Sequence, residues 1–335
     1  MTLGDLNVAL IGPGAIGERH LASLRAAGAR VDLVVSNSMD EGATFAARHG
    51  ISSATTDLDR VLAREDIDAV VIASPSHLHA SQSIAVLKAG KSVLCEIPCA
   101  LTLRDAEELA EAATASGKEA MIAHTFRFAK PYREIRSRVE DGSFQTRHVV
   151  GHQLSLRHED IGWTGRSRDW ADDVLWHHGG HLVDTALWYL DAPEVATVGT
   201  VGPDWPGNGR YMDVAAVLVA PDGDLASLAL SYHSRMSFGN LMVIGEDQTF
   251  EVCGGALVCN GETVIDCGDW ETMMRDAQAA QDREFLDSIR EGRKPSFTID
   301  DALPTMRVLN ELCSGRHMAP GTGTPEPRSG SHAAR

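Results

Sequence analysis

Residues 8–21 read VALIGPGAIGERHL. An apolar, β-branched run stops at Gly12, glycines recur at 14 and 17, and helix-forming residues follow. G-x-G-x-x-G between a buried strand and a helix is the fingerprint of a dinucleotide-binding βαβ unit. Gly12 permits the tight turn, Gly14 lets the backbone approach a pyrophosphate, and Gly17 lets helix and strand pack closely. Ala15 and Ile16 open the helix, whose first N–H groups lack intrahelical partners and face the anion.

Outward from this turn, strand-like and helix-like segments alternate to about residue 123. VDLVVS, DAVVIASP, SVLCEIP and EAMIAHTF read as strands, with helical spacing over 15–27 and through TLRDAEELAEAATASG. Continuous apolar strands separated by helices predict a parallel sheet covered on both faces, a doubly wound Rossmann fold. After about residue 125 the pattern changes. HVVGHQLSLRHE, EVATVGTVG, MDVAAVLVA, LASLALSYHS, NLMVIGED and QTFEVCGG follow one another as strands, predicting a mainly antiparallel sheet in an α+β domain. Helical stretches are expected near 181–189, 273–292 and 299–313. The chain is thus an α/β protein with an expected cofactor domain over 1–124 and a substrate and oligomerisation domain over 125–316. The Pro-, Gly- and Ser-rich residues 317–335 are expected to be a disordered tail.

Composition narrows the function. The chain carries 47 acidic against 30 basic residues, a formal net charge of −17, which argues against nucleic acid as the main partner. A small anionic ligand is still compatible, because a few arginines dominate at short range. None of the six cysteines forms a C-x-x-C pair, so the expectation is reduced thiols. No apolar run reaches the length of a membrane span and the N-terminus lacks the pattern of a signal peptide, so the expected location is cytoplasmic and no membrane partner is expected.

The second strand bears on the cofactor. An acid at its end would bind an unmodified adenosine ribose. Ser36, Asn37 and Ser38 stand there instead, leaving space and donors for a 2′-phosphate, and the expected cofactor is NADP, with NAD possible. Ser74 and Pro75 end a later strand and are expected to line the nicotinamide half; His79 starts the next helix, as a packing residue or a cofactor contact.

Four elements, the Gly-rich N-terminus, SPSHLHA (74–80), CEIP (95–98) and GGHLVDTALW (179–188), occur in order and at a familiar spacing. Together they resemble the Gfo/Idh/MocA family of oxidoreductases over roughly residues 7–312. The resemblance implies a Rossmann domain followed by a domain with a large open sheet that often forms a homodimer or homotetramer interface. It implies that Glu96, Ile97 and Pro98 form a loop at the nicotinamide, with Glu96 at its ribose. In that family the position of Ile97 carries a lysine, the position of His181 an acid/base histidine, and the position of His177 often an aspartate. Further motifs, CEIP with AHTFRF (123–128) and SRDWADDVLWHH (167–178), resemble the branch that oxidises semialdehydes from aromatic ring cleavage, in aromatic catabolism. Phe126 stands where that branch leads one to expect arginine.

Such a reaction converts a cyclic hemiacetal to a lactone. A base must take the hydroxyl proton as hydride leaves, and cations must hold the substrate carboxylates. Histidine suits the first task, and WHHGGHLVD offers three. His181 is the expected base and His178 the next candidate. His177 shares a helical face with His181 if the helix starts early enough, and Asp184 could hold or polarise His181. His177-x3-His181 has metal-ligand spacing, but no third ligand is evident and hydride transfer needs none, so no metal is expected. Arginine suits the second task, its planar fork matching a carboxylate. Arg127 and Arg168 lead, with Arg157 and Arg166 secondary. His124, Trp170 and Thr125 are expected to complete the substrate site. Two alternatives stay open: a sugar or inositol dehydrogenase of the same family, and a non-catalytic NAD(P)-binding regulator.

Overall fold

The computed structural model describes residues 6–157, 173–202 and 210–315. Six short strands form the first sheet: β1 (Asn7–Ile11), β2 (Arg30–Val35), β3 (Ser53–Thr55), β4 (Ala69–Ile72), β5 (Ser92–Cys95) and β6 (Ala120–Ile122). They pair in parallel in the order β3-β2-β1-β4-β5-β6. The reversal between β1 and β4 is the switch point where a doubly wound sheet opens its ligand crevice. Helices α1 (Ala15–Ala26), α2 (Met39–His49), α3 (Leu58–Leu62), α4 (His79–Lys88) and α5 (Leu103–Ser116) connect them. The strands β4 and β5 are buried at every residue, as the unbroken apolar runs predict for a sheet covered on both faces.

The chain then forms α6 (Lys130–Glu140) and the long β7 (His148–Leu156). A π-helical turn over Leu175–Gly179 runs into α7 (Gly180–Leu190). Strands β8 (Ala196–Val201), β9 (Asp213–Val219), β10 (Leu225–Ser231), β11 (His233–Ile244), β12 (Thr249–Cys253), β13 (Ala256–Cys259) and β14 (Glu262–Asp266) follow. The second sheet has the order β14-β13-β12-β11-β7-β10-β9-β8 and is antiparallel except where β10 runs parallel to β7. Here the burial pattern alternates, as in β9 and β10, because one face meets helices and the other does not. α7 covers the inner face with Leu182, Val183, Ala186 and Leu190. β13 and β14 went unread in the sequence, being short and rich in turn residues.

Two helices end the described chain: α8 (Trp270–Glu291) and α9 (Ile299–Ser314). α8 crosses back to α1, where Phe285 and Leu286 are fully buried among Leu21, Leu24 and Val31. Burying each such side chain contributes about 1.5–3 kcal/mol, which ties α8 to the first sheet. α9 opens with a capping box, Thr298 with Asp301, and packs on α5 and α7. The return of α8 brings Asp282 to His20 and Glu271 to Arg19 on α1. No helix among the described residues is long and apolar enough to cross a membrane.

Candidate active site

The glycine turn divides its labour as the spacing predicts. Gly12 has φ +102°, and a Cβ on it would stand 2.2 Å from the Ala73 carbonyl oxygen. On Gly17 a Cβ would stand 2.0 Å from the Gly12 carbonyl oxygen, so both positions exclude any side chain. Gly14 caps α1 and meets nothing within 4 Å, which leaves the cradle a pyrophosphate needs above the half-exposed Ala15 and Ile16. These residues fit a dinucleotide on structural grounds. At the end of β2, the buried Ser36 Oγ accepts the Ser38 N–H at 3.2 Å, and Ser38 caps α2 by accepting the Glu41 N–H at 3.4 Å. Asn37 is exposed between them, and no carboxylate ends the strand.

Ser74 and Pro75 sit half-buried at the end of β4, and the Ser74 hydroxyl donates to Gln82 Oε1 at 2.6 Å. His79 opens α4 beside them. It is buried, its ring nitrogens 2.8 Å from the Pro98 carbonyl oxygen and 2.7 Å from the Ser74 carbonyl oxygen, and it ties the ends of β4 and β5 together. Both ring nitrogens are thereby occupied, which agrees with the packing reading of His79. Ile97 and Pro98 are joined by a cis peptide bond. The Ile97 side chain is buried and reaches 3.9 Å from where a Cβ on Gly180 would stand, so it abuts the start of α7 beside His181.

Glu96, in the same loop, reaches across to α1. Its Oε1 lies 2.8 Å from Nε2 of His20, a fully buried residue of α1. Nδ1 of His20 lies 3.0 and 2.9 Å from the two carboxylate oxygens of Asp282 on α8. Burial alone would depress the imidazole, but Asp282 and then Glu96 outweigh it and push its pKa up to about 10. His20 is therefore a cation pinned between two carboxylates from different segments of the chain.

The histidines lie across the cleft. Gly179 N–H donates to the Val174 carbonyl five residues back, so the π turn inserts a residue and breaks the i, i+4 alignment of His177 with His181. His177 instead meets Tyr232, Nδ1 to hydroxyl at 2.8 Å, and stacks on His178 with ring centroids 4.5 Å apart. His181 stacks on Phe126 at 4.7 Å and 25° and meets the edge of His124 at 5.9 Å. Its Nδ1 and that of His178 are buried without hydrogen-bond partners. Burial, then the nearby His124 and His178, hold the His181 pKa well below the ordinary value. Burial, then Arg157, push that of His178 down to about 4. Both rings are neutral bases near pH 7.

Asp184 does not polarise His181 through a hydrogen bond. It is buried and binds Arg127 at 2.8 and 2.9 Å, with His124 Nδ1 at 3.1 Å. Burial would raise its pKa, but His124 and Arg127 prevail and hold it well below the usual carboxylate range. Arg127 is consequently no free carboxylate clamp: its fork is filled by Asp184 and its plane lies against Phe297 and Trp188, at 4.1 and 4.8 Å. Thr125 donates to Gln281 of α8 at 3.0 Å. Arg166, Arg168 and Trp170 lie outside the described residues. Among the described residues, no group of three or more His, Cys, Asp or Glu side chains is placed to hold a metal ion.

Three participants escaped the sequence reading. Phe126, noticed only as a departure, is the platform on which His181 stacks. Tyr232 sits between β10 and β11 and appears as one more apolar residue of an alternating strand. His20 follows the glycine turn by three residues, where a buried polar residue on the packed face of α1 was the available signal.

Comparison with known proteins agrees with this layout. Residues 6–124 match the profile described as "Oxidoreductase family, NAD-binding Rossmann fold" and residues 131–270 that described as "Bacterial oxidoreductases, C-terminal". The chain is 33% identical over 310 residues to 4-carboxy-2-hydroxymuconate-6-semialdehyde dehydrogenase of Sphingobium sp. (strain NBRC 103272 / SYK-6), spanning 92% of this chain and 98% of that one. It is 25% identical over 298 residues to inositol 2-dehydrogenase 3 of Saccharopolyspora erythraea, covering 86% of each. A levoglucosan dehydrogenase solved with NADH and levoglucosan superposes with a TM-score of 0.81 at 18% identity, over 93% of this chain and 97% of that one. The first profile covers the cofactor turn and the first relative nearly the whole length of both chains, so this protein belongs to the Gfo/Idh/MocA family of NAD(P)-binding oxidoreductases.

Proposed function

We propose that the protein is an NADP-dependent dehydrogenase of 4-carboxy-2-hydroxymuconate-6-semialdehyde or a close ring-cleavage semialdehyde. It oxidises the cyclic hemiacetal to a lactone, 2-pyrone-4,6-dicarboxylate for the named compound. The observation that carries the reading is His181: a neutral imidazole with an unpartnered Nδ1, stacked on Phe126 and abutted by Ile97 rather than by an ammonium. The relative with that activity, alike over almost its whole length, supports the substrate class.

In this reading Gly14, Ala15 and Ile16 receive the pyrophosphate, and Ser74, Pro75 and the loop from Glu96 to Pro98 border the nicotinamide. A bound nicotinamide supplies the hydride acceptor. His181 takes the hemiacetal hydroxyl proton, and the buried Asp184 nearby favours the imidazolium as it forms. His178 is the alternative base. Arg168 is assigned to one substrate carboxylate, with Trp170 and His177 as further substrate-binding residues. The absence of an acid at the end of β2, with Ser36, Asn37 and Ser38 in its place, supports NADP over NAD. Val198, Val217 and Phe238 are exposed on the second sheet, which supports self-association through that face. The expected setting is the cytoplasm.

The test is reduction of NADP and NAD with a panel of ring-cleavage semialdehydes, inositols and pyranoses. Turnover confined to semialdehydes with NADP supports the reading. Turnover confined to cyclitols or pyranoses refutes it in favour of the sugar-type activity. Tight cofactor binding without turnover refutes it in favour of a regulator.

A further inference from the structure

Arg157 follows β7 directly. Its backbone N–H donates to the Tyr232 carbonyl at 2.9 Å, and its Nη1 donates to the Tyr232 hydroxyl at 3.2 Å. The guanidinium lies over the Tyr232 ring, 5.2 Å from its centroid. The same hydroxyl meets His177, and the charge of Arg157 reaches His178. Thus the guanidinium adjoins, through Tyr232, the stacked pair His177 and His178.

Its second terminal nitrogen, Nη2, is buried and has no hydrogen-bond partner. Among the described residues no carboxylate pairs with Arg157. Arg157 is set apart by that burial, since its Nη2 is the only arginine nitrogen among the described residues that is both buried and without a partner. Other arginines of this part of the chain fill their forks with carboxylates: Arg127 with Asp184, Arg136 with Glu140 and Asp191, Arg138 with Glu134, Arg147 with Asp224 and Glu246. A buried, unfilled guanidinium N–H is costly unless a ligand completes it. The matching ligand is a planar anion, and a carboxylate fits the fork best.

We propose that Arg157, backed by the Tyr232 hydroxyl, is the anchor for a substrate carboxylate, holding it across His178 from His181. The inference rests on the proposed function for its substrate, and it takes over the role that the sequence assigns to Arg127. It makes Arg157 the residue that separates a carboxylated semialdehyde from a neutral sugar.

The probe is isophthalate, a flat benzene-1,3-dicarboxylate, titrated calorimetrically into the full-length protein saturated with NADP, with benzamide as the neutral control. Wild type binds isophthalate and not benzamide. Arg157→Gln weakens isophthalate at least 30-fold, Arg157→Lys recovers part of the loss, and NADP affinity is unchanged in both. Unweakened binding by Arg157→Gln, or no binding by wild type, overturns the proposal. A parallel loss of NADP affinity in both variants also overturns it, because the effect is then on the fold. Isophthalate binding is independent of turnover. A failure of the semialdehyde activity with the Arg157 effect intact therefore identifies a different carboxylate substrate rather than a different anchor.

Discussion

Arg127 and Asp184 meet through two hydrogen bonds, Nε to Oδ2 at 2.8 Å and Nη2 to Oδ1 at 2.9 Å. The pair joins the turn after β6 to α7 and so fixes the helix that carries His181. The Asp184 side chain is 2% exposed and that of Arg127 18%, so removing the arginine strands a buried carboxylate. Arg127→Ala should cost about 3 kcal/mol of unfolding free energy, at the low end for a broken buried pair because Arg127 keeps some solvent. Urea denaturation checks it. A change under about 0.5 kcal/mol, within the range of ordinary surface substitutions, would return Arg127 to the substrate. The sign with pH is fixed. Asp184 has a depressed folded pKa, so its contribution is present above the ordinary carboxylate value and is lost as pH falls through the folded one.

His181 gives a second prediction. His181→Asn should lower kcat about 10²–10⁴-fold, the usual contribution of a positioned base, while NADP still binds with wild-type affinity. Its depressed pKa keeps the base form populated in acid, so kcat/KM of the free enzyme should not decline on the acid side at pH 6.5. An acid limb with a midpoint near 6.5 would show that another histidine is the base.

His178 predicts a pH dependence of stability. Its folded pKa, about 4, lies below its ordinary 6.5, so unfolding takes up a proton between those values. Stability should therefore rise with pH from about 4 to about 6.5 and then level. Equilibrium denaturation at pH 5 and pH 8 measures the difference, which His178→Gln should shrink. An unchanged difference would mean that His178 is not buried as a neutral ring.

These expectations show what a sequence carries and what it does not. The Rossmann half was legible because its evidence is local: Gly12, Gly14 and Gly17 sit within one turn, and β4 and β5 are unbroken apolar runs. The second sheet was legible from period-two alternation, but not its parallel β7–β10 contact, which depends on long-range pairing. The site was half legible. His124, Asp184 and Arg127 were each named from the sequence and stand together in one buried cluster, but residue type alone cannot say that Asp184 fills the arginine's fork. The π turn was invisible, since WHHGG has no pattern that distinguishes it from an α-helical start, and it reassigns His177 to Tyr232. His20 and Asp282 are 262 residues apart, and only the return of α8 brings them together.

Ile97 offers a chemical test of why the cleft lacks the family lysine. An amine beside an aldehyde would capture it as a Schiff base, and an apolar side chain cannot. Ile97→Lys should give an adduct with a ring-cleavage semialdehyde that borohydride traps, seen by intact mass, whereas wild type gives none. A lysine variant that turns over normally without trapping would remove this reason for the isoleucine.

His20 sits where the cofactor helix, the cis-proline loop and α8 converge. As a cation it satisfies Asp282, which has no exposure, and holds Glu96 in the loop proposed to border the nicotinamide. Neutral Gln preserves a donor but not the charge. His20→Gln should therefore destabilise the fold by about 3–5 kcal/mol, the range for a buried charge left without its partner. It should also weaken NADP binding more than substrate binding, because Glu96 is released on the cofactor side. A second replacement, Glu96→Gln, separates the two effects: it spares the fully buried Asp282 contact, so NADP affinity should fall with little change in stability. Because the folded pKa of His20, about 10, lies above its unfolded value, its contribution is complete below about 6.5 and is lost as pH rises through about 10. Wild-type stability should thus fall above pH 9 more steeply than that of His20→Gln. Equal slopes would show that the imidazole is neutral and that the two carboxylates share their proton some other way.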